Sequence, residues 1–182
     1  MSSDDDTPAK STSRQHAESA PVTDIPARSH MYELFVETTS SVNRYIPLQR
    51  AVLVAVGRHY RDLLAIAGWR CDSEDDGTRS LSLRLPVEES LFAQVAAQRF
   101  GFSDDYFGLF SGNSVERKLL LDGNTGGSYV IWPLRDDSSI VGLIGFSSDL
   151  PGAFTELEAI DPERTFAPLA AELTRLRHEQ YL

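Results

Sequence analysis

The chain has 182 residues, with 41% hydrophobic and 9% aromatic side chains, enough for one ordinary domain or one domain plus a tail. Seventeen Lys and Arg against 27 Asp and Glu leave a formal charge of −10, so the clustered basic surface that holds a phosphate backbone is missing and nucleic acid is not an expected partner. No run of about 18 apolar residues occurs, so no membrane partner is expected either, and a single cysteine with no apolar leader after MSSDDDTPAK points to a cytoplasmic location.

Residues 1–30 are rich in Ser, Thr and Pro, carry an Asp4-Asp5-Asp6 run and lack aromatics. Such a stretch cannot bury enough apolar surface to offset an ordering entropy of about 1–2 kcal/mol per residue for the backbone alone. It reads as a disordered tail, or a docking arm, ahead of a domain spanning 31–182. Ser29 is a fitting N-cap for a helix that runs to about Arg44, with Leu34, Phe35, Thr38 and Val42 on one face and Pro47 as its stop. Ala51–Gly57 and Leu63–Trp69 are strand runs around a turn at His59–Asp62. Both are apolar at nearly every position, which predicts a hairpin covered on both faces.

CDSEDDGTRS (71–80) is an acidic loop, after which Leu81, Leu83 and Leu85 alternate with Ser82 and Arg84 as a half-buried strand closed by Pro86. Glu88–Arg99 predicts a helix with a Leu91, Phe92, Val95, Ala96 stripe and Gly101 at its end. Residues 102–126 have little periodicity, and Val115–Leu121 within them fits helix or strand. Tyr129–Leu134 and Ile140–Phe146, divided by polar Arg135–Ser139, form the strongest hairpin signal. Asp161-Pro162 and Pro168 are both helix-start signals. The last helix is placed from about Pro168 to Gln180, with Phe166, Leu169, Leu173 and Leu176 at helical spacing. This order lacks strict βαβ alternation and predicts an α+β fold: a central, mainly antiparallel sheet of five or six strands flanked by helices.

Three passages carry a family likeness: AVLVAVGRHYRDLLAIAGW, LRLPVEESLFAQVAAQRFG and YVIWPLRDDSSIVGLIGFSSD. With them, the chain from Met31 to Leu182 resembles a GAF domain. The resemblance implies a non-enzymatic sensory or regulatory domain that binds a small ligand, dimerises to signal to a partner protein, or does both. It implies a lid formed by the aromatic segment FGFSDDYFGLF (100–110), with Tyr106, Phe107 and Phe110 over a cavity and Trp69, Arg84, Tyr129 and Trp132 on the sheet beneath it. It also implies a homodimer bundle of the first and last helices through Leu34, Phe35, Leu169, Leu173 and Leu176. That same narrow stripe fits packing on the home sheet equally well. The rival reading is a ligand-free interaction adaptor in which the aromatics fill the interior.

No reactive centre emerges from the residues. Some GAF relatives reduce free methionine sulfoxide with an attacking and a resolving cysteine, whereas Cys71 stands alone beside Asp72, Glu74, Asp75 and Asp76, which disfavour its thiolate. His16, His30, His59 and His178 include no i, i+4 pair, so no metal or other cofactor is expected. The acid pairs Asp75-Asp76, Glu88-Glu89, Asp104-Asp105 and Asp136-Asp137 suit loops, turns and a helix start. No nucleophile elbow or phosphate loop is present.

Overall fold

The structure, a computed structural model, describes residues 26–57, 62–72, 78–98, 102–104, 110–121 and 126–179. The proposed tail up to residue 25, most of the first turn and the centre of the acidic loop lie outside them. Helix α1 (Pro26–Asn43) starts ahead of the expected Ser29 cap, with Pro26 as its first residue, where a missing N–H costs nothing. Met31, Phe35, Thr38, Thr39 and Val42 are its buried face. The Asn43 side chain accepts from the Leu48 amide at 2.8 Å and turns the chain into the sheet.

Strands β1 (Arg50–Val56), β2 (Leu63–Arg70), β3 (Thr78–Leu85), β4 (Phe102–Asp104), β5 (Ser128–Asp136) and β6 (Ser139–Ser148) form one sheet of order β3-β2-β1-β6-β5-β4. Every neighbouring pair is antiparallel. The expected class and the closing hairpin are therefore present, with Val130 opposite Phe146 and Leu134 opposite Gly142. Asp137, at φ 49°, makes the left-handed step of its turn. Pro133 sits in β5 without harm because β4 pairs only with Tyr129–Ile131, leaving the proline on an open edge.

Two helix pairs cover the two sheet faces. Leu53, Val130, Ile144 and Phe146 face α1 and α4 (Pro162–His178), while Val52, Val54, Tyr129, Ile131 and Leu143 face α2 (Leu91–Gln98) and α3 (Ser114–Leu120). β1 is buried along its whole length, as its unbroken apolar run requires. Strand β6 serves both faces through two glycines. A Cβ on Gly142 would lie 2.3 Å from Leu173 of α4, and one on Gly145 would lie 2.8 Å from Leu120 and 3.1 Å from Phe92.

Several boundaries differ from the sequence reading. Helix α4 begins at Pro162 rather than Pro168. Asp161 caps it by accepting from the Arg164 amide, and Pro168 rides inside the helix on its exposed side. Helix α2 begins three residues after Glu88, because Glu89 takes φ 53° and Ser90 caps by accepting from the Ala93 amide at 2.9 Å. Its predicted stripe, Leu91, Phe92, Val95 and Ala96, is the buried one. Residues 114–120 are helix, capped by Asn113. On the edge strand β3, Leu85 is buried and Leu81 half-buried, but Leu83 is 40% exposed, because no further strand lies beyond it in the sheet order.

Candidate functional site

Of the expected ligand residues, Phe110 and Tyr129 lie on the face of α2 and α3. Strand β5 alternates, so Tyr129 and Ile131 point to this side and Val130 and Trp132 to the other. Tyr129 is fully buried, and the Phe110 ring leans on it with centroids 5.0 Å apart and planes tilted by 59°, a favourable aromatic geometry. Tyr106 and Phe107 lie outside the described residues.

Behind Phe110 sits a buried acid that the sequence reading missed. Glu116 is fully buried, accepts from the Leu91 amide at 2.9 Å and the Phe92 amide at 3.3 Å, and takes the Ser90 hydroxyl proton in a hydrogen bond. It thus satisfies first-turn N–H groups of α2 from a residue of α3. In return Asn113, the cap of α3, donates from its side chain to the carbonyls of Pro86 and Glu88 ahead of α2. The starts of the two helices are cross-capped. Burial pushes the Glu116 carboxyl up, opposed by the Ser90 hydroxyl and by the amides of Leu91, Phe92 and Asn113. Gly112 leaves room for this arrangement, since a Cβ there would lie 2.5 Å from both the Glu116 carboxylate and the Phe110 ring. The signal available in the sequence was Asn113 followed three residues later by Glu116, a capping-box spacing.

The other expected ligand residues are not brought to this site. Trp69 and Trp132 are half-buried against the α1–α4 face, and Trp132 shares a crevice with Pro162, Phe166 and Ala170 of α4. Trp69 arrives there because Ile66 is an extra residue in β2: Leu53 pairs with Ala67 while Val54 pairs with Ala65. One inserted residue reverses which side every later side chain takes. Arg84 is exposed on β3, with its guanidinium 3.2 Å from the Asp62 carboxylate.

The helix stripe packs on the home sheet. Phe35, Leu169 and Leu173 are 0% exposed and Leu176 is 3% exposed in the core under α1 and α4, with Leu34 half-buried at the margin. Those four buried side chains are thus occupied within the chain. Between the outer surfaces of the same two helices runs a groove of about 500 Å³, lined by Glu37, Ser41 and Tyr45 of α1 and its exit and by Arg164, Thr165 and Pro168 of α4. Cys71 is exposed in the turn after β2. Among the described residues no group of His, Cys, Asp and Glu is arranged to hold a metal, and no helix is long and apolar enough to cross a membrane.

Solved structures decide the fold. A GAF domain of a two-component sensor histidine kinase from Bacillus halodurans superposes with a TM-score of 0.62, covering 82% of this chain and 97% of that one at 13% identity. The chain has the GAF fold. A GAF domain of a phosphoenolpyruvate-protein phosphotransferase from Coxiella burnetii gives a TM-score of 0.57 at 17% identity, covering 87% of this chain and 100% of its own. The same fold also houses an enzyme, a type II free methionine-R-sulfoxide reductase from Thermoplasma acidophilum, at a TM-score of 0.60 and 10% identity over 83% of this chain and 96% of that one. No family model matches the chain. One curated protein, cathepsin G of Mus musculus, aligns at 31% identity over 116 residues. That is 59% of this chain but only 41% of the relative, so the chain spans less than half of that protein's length.

Proposed function

We propose that this GAF-fold chain is a non-enzymatic regulatory domain. A small organic ligand is held between the sheet and the Phe100–Phe110 segment, and its occupancy is passed to a partner protein through α1 and α4. The observation that supports this reading most is the sharing of β6. Phe92 and Leu120 press on Gly145 from the ligand side, and Leu173 of α4 presses on Gly142 from the other. A shift of α2 or α3 on ligand binding therefore has only one strand's thickness to cross before it meets the output helix, and close-packed interiors transmit such displacements. The ligand-side wall is Tyr129 with Phe110, and Trp69, Trp132 and Arg84 are left out of it.

Native mass spectrometry of protein purified from its own host tests the reading. A small molecule should be retained by the wild type and lost from a folded Phe110→Ala variant. The same packing at Gly145 favours the second reading, a ligand-free adaptor, since it fills the centre of that sheet face with side chains. A wild type that carries no small molecule, and is stabilised by none in a thermal-shift screen, replaces the first reading with the second.

A further inference from the structure

We propose that the groove between α1 and α4 binds a small zwitterion with an apolar body, a free amino acid or a dipeptide, whether or not the α2–α3 face is occupied. Two helical stripes face each other across it. Leu34, Glu37, Thr38 and Ser41 follow the i, i+3, i+4, i+7 spacing on α1. Asp161, Arg164, Thr165 and Pro168 repeat that spacing from the cap of α4 onward. The space between the stripes, about 500 Å³, is within the range of small-molecule sites.

Exposed charges are satisfied by water, so two less ordinary features carry the inference. Thr38 lines the groove and is only 6% exposed, and among the described residues its hydroxyl has no hydrogen-bond partner. A hydroxyl withdrawn from water and left unanswered is costly, which favours a guest able to bond to it. The nearby Thr165 hydroxyl, by contrast, is committed, donating to the Ile160 carbonyl at 2.7 Å. Pro168, inside α4, has no N–H to return to the Arg164 carbonyl one turn earlier, and both residues line the groove. A backbone acceptor is thereby freed beside it.

The charges set the class of guest. Glu37 on one wall and Arg164 on the other are exposed, and among the described residues their side chains form no ion pair with each other or with a third group. A molecule with a carboxylate at one end and an ammonium at the other answers both. The guanidinium offers its fork to the carboxylate, while Glu37 and the freed carbonyl accept from the ammonium. Asp161 also borders the groove, accepting from the Arg164 amide at 3.4 Å, and this second acid disfavours a guest of net negative charge. Half-buried Leu34 and Ile160, with Tyr45 73% exposed at the rim, supply apolar cover for the body of the guest.

The test is calorimetry on the full chain with L-leucine and leucyl-leucine as probes, and the tighter of the two tells amino acid from dipeptide. N-acetyl-leucine lacks the ammonium and leucinamide the carboxylate, so each should bind at least about fivefold more weakly than leucine. Glu37→Gln and Arg164→Gln should each weaken binding by about two- to fivefold, the range for exposed ion pairs. Thr38→Val separates a binding role from a structural one. Its melting temperature should hold or rise, because the lost hydroxyl bonds to nothing in the described chain, while probe affinity falls by at least about threefold. Neither probe binding at millimolar concentration, blocked probes binding as well as leucine, or undiminished affinity in Thr38→Val each overturns the site. Binding that Phe110→Ala abolishes and Glu37→Gln leaves untouched overturns it by moving the probe to the α2–α3 face. A chain that sediments as a dimer and becomes monomeric on Tyr45→Glu overturns it by giving the groove to a second copy.

Discussion

Replacing Glu116 tests whether the cross-capped helix starts hold the α2–α3 layer in place. Glu116→Ala strips the acceptor from the amides of Leu91 and Phe92 and from the Ser90 hydroxyl, all at the start of α2. An orphaned buried donor costs about 1–3 kcal/mol, and the recovered desolvation of the carboxylate offsets part of the sum. The expected loss is about 2–4 kcal/mol, or a fall in melting temperature of about 5–15 °C for a domain of this size. Glu116→Gln keeps one acceptor oxygen and offers its NH2 to Ser90, so its cost is about 1 kcal/mol. The pH dependence carries a definite sign. Burial raises the Glu116 carboxyl above its ordinary value, so the folded state binds that proton more tightly than the unfolded chain. The benefit is therefore complete at acid pH and fades as pH climbs through the raised value. Chemical denaturation between about pH 4 and 8 should show the wild-type advantage over Glu116→Gln narrowing with rising pH. A gap that widens with pH would refute the burial-raised carboxyl, and an Ala variant as stable as wild type would refute the cross-capping account.

Three further outcomes follow from the packing. Gly145→Val should destabilise by more than about 3 kcal/mol in urea unfolding, since even its Cβ meets Leu120, Phe92 and Val52 within 3.1 Å in a filled core. Leu173→Ala should cost about 2–5 kcal/mol while leaving the oligomeric state on size-exclusion chromatography unchanged, because this side chain is spent inside its own core. In the native protein, Ellman's reagent should titrate one thiol per chain within minutes, matching an exposed Cys71 that is the sole cysteine.

Hydrophobic periodicity was enough to locate the closing hairpin, the double-sided burial of β1 and the stripe of α2, because each signal is local. The site was less legible. Tyr129 and Trp132 are three residues apart in a regular strand, and period-two alternation alone puts them on opposite faces. Trp69 needed the Ile66 bulge, a departure in register that depends on how β2 meets its neighbours and leaves no mark in composition. The Glu116 contact joins residues 25 or so positions apart, beyond any window of pattern reading. Pro168 misled because a proline inside a helix usually marks a start or a break, whereas here the Phe166–Leu176 stripe holds the helix through it.

The sheet separates two interiors, and β1, β2, β5 and β6 each send side chains into both. Substitutions on the Tyr129 side can repack that interior while the far compartment keeps its helices in register. Glycines 142 and 145 are the places where that independence ends.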